Sequence, residues 1–218
     1  PLMGANKDKP LPKDFKSLKA LAEKGDSVAQ VELGKMYFDG NSVKQDLKEA
    51  VNWWHKAANK GNPRAYHNLG SVYMRNKDFK EAMIWFRKAA DMGVASSQHT
   101  VGGFYFEGLG VKRDLAEAAK WFRKASEKGN SYAQNYLGIF YRDGLGVKQD
   151  FTEAVKWTTK AANQGHPMAQ FNLGVFHRDG QGVEKNIEEA VKWITKSAEQ
   201  KFQDAEFNLG VMYADGEG

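Results

Sequence analysis

The sequence predicts an all-α solenoid of stacked helix pairs, and three observations carry that prediction. One pattern recurs five times and begins a sixth, opening at Gly25, Gly61, Gly93, Gly129 and Gly165. Inside each copy the apolar residues fall at helical spacing. A polar, mostly glycine-rich turn then separates two such stretches. The openings lie 36 residues apart, except that the second copy is only 32 long. A fixed period of a few tens of residues marks units that bury their apolar faces only by stacking on neighbours.

Taken in order, residues 1–14 read as a tag or linker, with Pro1–Gly4 a cloning scar. Residues 15–24, with Leu18, Leu21 and Ala22, predict a single helix covering the first face of the stack. The full copies span 25–60, 61–92, 93–128, 129–164 and 165–200. Residues 201–218 stop inside a sixth copy, at "ADGEG", and the expectation is a fragment of a longer array. The predicted helix around Ala205–Tyr213 then has no following helix over it, which favours self-association through exposed apolar surface.

The fourth copy shows how each is built. Ala133, Leu137 and Tyr141, with Phe140 beside them, form one stripe of a first helix. "DGLGVKQD" ends it, because glycine reaches the positive φ that a helix C-terminus needs. A second helix follows with Phe151, Ala154, Val155, Trp157, Thr158 and Ala161 inward, ending at Gly165. Asp46, Asp78, Asp114, Asp150 and Asn186 each precede a glutamate by three residues, the spacing of a capping box in which both side chains accept backbone N–H groups. An Asp/Glu pair could instead serve acid–base chemistry, but fivefold recurrence argues for capping.

Gly34, Gly70, Gly102, Gly138, Gly174 and Gly210 recur inside the first helix, where glycine costs about 1 kcal/mol against alanine. A repeated cost of that kind predicts close helix approach. Trp53, Trp85, Trp121, Trp157 and Trp193 hold one position of the second helix and read as core rather than as a platform for bases. The Gly-x-Gly-Val segments at Gly108, Gly144 and Gly180 follow helices, whereas a dinucleotide fingerprint follows a strand.

Composition narrows the function classes. The chain has no cysteine, which excludes disulfides, thiolate catalysis and cysteine zinc sites. No apolar run approaches the ~20 residues of a membrane span. The net charge is +5 with a pI near 9.2, but Lys and Glu alternate along the second helices, as in "DLKEAVNWWHK". That is a solvated face and not a nucleic-acid stripe. No nucleophile motif appears. His166 opens a helix and reads as a substitute N-cap, and His67 and His99 without carboxylate support make a poor metal site. No catalytic residue, cofactor or metal is assigned.

From about residue 15 to 218 the chain resembles the Sel-one-like repeat family, relatives of the tetratricopeptide repeats. The family motif A-x-x-x-L-G-x-x-Y-x-x-G-x-G-V-x-x-D-x-x-K-A-x-x-W-[YF]-x-K-A-A-x-x-G is followed almost letter by letter from Ala133 to Gly165. The second copy lacks four residues between Met74 and Phe79 and falls at tetratricopeptide spacing. Asn41-Ser42 stands where Gly-x-Gly belongs, and Lys201 where a glycine belongs. The resemblance implies a right-handed α-superhelix of antiparallel pairs with the first helix of each on the concave side. It implies a non-enzymatic adaptor, of the kind found in bacterial envelopes, host interaction and protein quality control. The alternative is the substrate-recruiting region of a larger enzyme. Periplasmic or secreted placement is favoured over cytoplasmic.

If first helices line a groove, their variable positions are the candidates. His67, Asn68, Asn135, Tyr136, Arg142, Phe171, Asn172 and Arg178 are the predicted partner-binding residues. Exposed tyrosine and arginine are typical interface anchors. Asn68 and Asn172 occupy positions where a tetratricopeptide clamp carries asparagine for a bound backbone, and Arg142 and Arg178 suit an acidic or extended peptide. Asp143 and Asp179 beside them reduce that charge.

Overall fold

The computed structural model describes residues 11–12 and 14–216. Most of the expected tag or linker, residues 1–10 and 13, lies outside the described residues. Those described form twelve α-helices and no strand. They divide into two compact units, Pro1–Met92 and Gly93–Gly218.

The first unit holds α1 (Phe15–Glu23), α2 (Ser27–Asp39), α3 (Leu47–Ala58), α4 (Pro63–Arg75) and α5 (Phe79–Asp91). The predicted covering helix is α1, capped by Asp14, with Leu18 and Ala22 buried against Ala29, Leu33 and Trp53. The pairs α2/α3 and α4/α5 each pack as a hairpin. The second unit holds α6 (Ala95–Glu107), α7 (Leu115–Glu127), α8 (Ser131–Asp143), α9 (Phe151–Asn163), α10 (Pro167–Asp179), α11 (Ile187–Glu199) and α12 (Gln203–Ala214). Here α6/α7, α8/α9 and α10/α11 are the hairpins, and each packs on the next. On α12, Phe207, Val211 and Tyr213 are exposed.

The recurring residues have local physical roles. Gly138 faces Thr158, whose hydroxyl would lie 2.3 Å from an added Cβ; at Gly174 the side chain of Ile194 would lie 2.5 Å away. No real Cβ tolerates that distance, so the glycines set how closely the helices of a pair approach. Gly210 has nothing within 4 Å. Gly40, Gly108, Gly144 and Gly180 end the first helices in the left-handed conformation. Trp53, Trp121 and Trp157 are buried, as core. A lysine three residues on lies over each tryptophan of the ladder, as Lys124 does over Trp121 at 4.0 Å and Lys160 over Trp157 at 4.2 Å. The lysine stems thus cover the outward ring faces while their charges stay in water.

The capping box forms by half. Asp46, Asp78, Asp114, Asp150 and Asn186 all accept the backbone N–H of the glutamate three residues on. The return bond is absent at these sites, because each cap's own N–H already donates to a carbonyl of the preceding helix. Asp114 donates to Tyr105 and Asp150 to Tyr141, both at 2.9 Å. Three of the five freed glutamates pair with lysine instead: Glu117 with Lys120, Glu153 with Lys156 and Glu189 with Lys192. His166 does cap α10, its Nδ1 accepting from the Ala169 N–H at 3.3 Å.

Within each unit, successive repeats are tied by a glutamine. Gln30, Gln134 and Gln170 are buried and donate from Nε2 to the carbonyls of Ala22, Ser126 and Ala162 near the end of the preceding helix. Each carbonyl already accepts the N–H of the glycine three residues on, at 2.9–3.0 Å, so the glutamine adds a second bond that ties the helix end to the next repeat.

Candidate functional site

The predicted site residues fall in both units. In the first unit His67 and Asn68 border a groove of about 310 Å³ with Phe38, Arg64 and Ser71. His67 packs edge-on against Phe86 at 5.4 Å, and its burial lowers the imidazole pKa below the ordinary value. Arg64 is held by Glu32 at 2.9 Å. The Asn68 amide makes no hydrogen bond among the described residues.

In the second unit the first-helix face of α6, α8 and α10 carries most of the candidates. Tyr136 is 36% exposed, yet its ring stacks on buried Phe122 at 5.0 Å with 10° between planes. Phe106 approaches it at 6.2 Å. His99 sits among Phe122, Tyr132 and Tyr136 at 5.7–6.0 Å. Tyr132 is 61% exposed and meets His166 edge-on at 4.8 Å. Burial holds both imidazoles below the ordinary histidine pKa, and for His99 the nearby His166 lowers it further. Both rings are therefore neutral near pH 7. Tyr132, His99 and His166 complete an aromatic cluster around Tyr136 that spacing within one repeat does not reveal. Tyr132 lies at the start of its helix, and its histidine neighbours come from two other repeats.

The asparagines join into a ladder. Asn172 donates from Nδ2 to Asn135 Oδ1 at 3.2 Å, and Asn135 in turn donates to Met168 Sδ. Asn135 is 1% exposed and acts from beneath the surface, orienting Asn172. The arginines each form a two-toothed pair with the next residue: Arg142 with Asp143 at 2.7 and 2.9 Å, and Arg178 with Asp179 at 2.8 and 3.3 Å. The Asp143 hydrogen bond raises the Arg142 pKa above its ordinary value. Arg178 also donates to Asn208 at 3.2 Å. Phe171 is half-buried and tilts against Phe202 at 5.7 Å.

The structure brings Asn135 and Asn172 together, and His99 with Tyr136. No group of three or more His, Cys, Asp or Glu side chains that could hold a metal exists among the described residues. Among them, too, no helix is long and apolar enough to cross a membrane. The Gly-x-Gly-Val loops have a packing role instead of a phosphate site. A Cβ on Gly146 would lie 2.3 Å from the Leu115 carbonyl, and one on Gly182 would lie 2.3 Å from that of Phe151. Each loop thus seats its second glycine on the start of the preceding hairpin's second helix.

Comparisons with known proteins match this organisation. The sequence profile of the Sel1 repeat matches residues 27–62, 95–130, 131–166, 167–202 and 203–218. The short copy, 63–92, matches a tetratricopeptide repeat instead. Among solved structures, the chain is similar to c5321, a protective antigen of uropathogenic Escherichia coli with the same fold. That match has 38% identity and a TM-score of 0.89, covering 94% of this chain and 45% of that one. A Sel1 repeat protein from Oxalobacter formigenes aligns at 30% identity and TM-score 0.84, over 92% of this chain and 83% of its own. Two curated relatives share shorter stretches. An ERAD-associated E3 ubiquitin-protein ligase component of Arabidopsis thaliana, HRD3A, is 36% identical over 28% of this chain and 9% of its own length. The secretory immunoglobulin A-binding protein EsiB of Escherichia coli is 43% identical over 20% of this chain and 9% of its own. The matches to these curated relatives thus span about a tenth of each relative's length. Proteins of this kind are generally protein-interaction scaffolds, on a fold not known for catalysis. With the repeat profile covering well over half of the residues and the tetratricopeptide variant filling the gap, the chain belongs to the Sel1 repeat family.

Proposed function

We propose that the first-helix face of α6, α8 and α10 binds an extended segment of a partner protein, with Tyr132 and Tyr136 as anchors. The observation that carries this reading is the Tyr136 ring, exposed to solvent yet fixed flat against buried Phe122. A rigid aromatic loses little side-chain entropy on binding, which is what makes such residues interface anchors. Asn172, pre-oriented by Asn135, supplies an amide able to hydrogen-bond an extended backbone. Arg142 and Arg178 add attraction for acidic residues, moderated by the adjacent aspartates. His67 and Asn68 form a smaller station of the same kind in the first unit. Similarity to a protective antigen and to an immunoglobulin-binding protein supports a partner at the cell envelope or from a host.

The test compares crosslinked partners recovered by the wild-type chain and by two folded double variants. Tyr132→Ala with Tyr136→Ala should remove most of the recovered partner. Arg142→Ala with Arg178→Ala should remove less. Equal recovery by the tyrosine variant, at unchanged melting temperature, would sink the proposal. Similarity to a ubiquitin-ligase component supports a second reading, in which the repeats recruit substrate to an enzyme carried elsewhere. Copurification of a catalytic activity with the partner would favour it.

A further inference from the structure

The regular repeats use their loop as core, and the second repeat has lost it. In the fourth repeat Leu145 and Val147 pack with Phe106, Leu115, Ala119, Phe122 and Phe140, and Gly146 presses onto the Leu115 backbone. The equivalent wall in the first unit is Phe38, Leu47, Val51, Trp54 and Val72. The four residues that should cover it are missing from the second repeat, where only Asn76 and Lys77 stand between α4 and the N-cap Asp78 of α5. What remains is a pocket of about 490 Å³ lined by Phe38, Leu47, Val51, Val72 and Arg75, among others. Leu47 is left 47% exposed, whereas its counterparts Leu115 and Phe151 are partly buried.

The rim has changed sign. Arg75 stands where the fourth repeat has Asp143, and Lys48 where the third has Ala116. Both line the pocket, and neither has an acidic partner among the described residues. An apolar floor shaped for an aliphatic–glycine–aliphatic loop, ringed by two unpaired cations, fits one chemistry. We propose that this pocket binds, in trans, an extended segment of a partner protein that carries two aliphatic side chains flanking a small residue, with a carboxylate close by. The site lies in the first unit and shares no residue with the tyrosine face of the second.

The probe is the chain's own loop as a peptide, Asp-Gly-Leu-Gly-Val-Lys-Gln-Asp with blocked ends, titrated into the full chain and followed by amide shifts in nuclear magnetic resonance. Saturable shifts at residues 47–52 and 72–76 are expected. A peptide with serine for Leu and Val, and one with asparagine for both Asp, should each bind at least tenfold more weakly. Val51→Trp, which fills the pocket, should abolish binding. Lys48→Glu with Arg75→Glu, on the exposed rim, should weaken it at least tenfold without touching the core. Replacing Asn76–Lys77 by Gly-Leu-Gly-Val-Lys-Gln should restore the regular loop, raise the melting temperature and remove binding. The proposal is overturned by the absence of saturable shifts up to millimolar peptide, or by serine-peptide binding equal to that of the parent. Concentration-dependent dimerisation lost in the charge-reversed variant would assign the pocket to a second copy and overturn the partner assignment.

Discussion

The second and fourth repeats differ by four residues, and that difference separates structure from opportunity. In the fourth, the loop from Gly144 to Gln149 fills the space over Leu115 and closes the core. In the second, the shortened turn leaves the same kind of wall open around Val51 and Val72. Helix pairing is kept in both, because Gly70 against Phe86 and Gly138 against Thr158 hold the hairpins at close approach. The loop is therefore a packing device that a single repeat can give up, and the surface so exposed becomes available for recognition.

The largest expected effect comes from making the fourth repeat resemble the second. Deleting Leu145–Lys148 should cost about 4 kcal/mol, since two aliphatic side chains leave the core. Denaturant unfolding measures this, and a loss below about 1 kcal/mol would show that the loop merely decorates the hairpin. Next come the loop glycines. Gly146→Ala adds a clash with Leu115 to backbone strain and should cost about 2–3 kcal/mol. Gly165→Ala, with positive φ but open space, should cost about 1 kcal/mol, so equal losses would break the distinction between strain and contact. A half-formed box predicts unequal partners: Asp150→Ala should lose about 1 kcal/mol, and Glu153→Gln under about 0.5 kcal/mol, by thermal melting. Equal losses would restore the reciprocal box. The smallest mutational effect favours stability. Lys201 holds φ +61 where other copies place glycine, and Lys201→Gly should gain about 0.5 kcal/mol as relief of strain exceeds the added chain entropy.

Acidification gives a further contrast. His99 and His166 titrate below their ordinary pKa in the folded chain, mainly through burial. The unfolded chain therefore binds protons first as pH falls. Stability is full above the ordinary histidine pKa and declines from there down through the lowered folded values. His99→Gln should flatten that decline in urea midpoints between about pH 7 and pH 5. An unchanged slope would remove His99 from the linkage.

The regular residues were legible in advance because their roles are local. A cap at Asp150, a left-handed turn at Gly144 and an apolar stripe at Ala133 and Leu137 depend on a few neighbouring residues. The site was legible only in outline. Asn135 and Asn172 share no repeat, so their hydrogen bond and the burial of Asn135 depend on how one hairpin seats on the next. His166 was readable as a cap, but its contact with Tyr132 was not, because that pair too spans two repeats.

The sequence by itself determined the repeat, the helices and their ends, and the place where four residues are missing. These follow from periodicity, backbone preference and glycine's access to positive φ. Only the tertiary structure decided that three of the capping glutamates turn outward to lysine, that the loop glycines press on the neighbouring helix, and that the shortened turn opens a pocket beneath Arg75. Each of these depends on which groups compete for the same space or the same N–H, and that competition is settled where helices pack, within a hairpin for the caps and between hairpins for the loops.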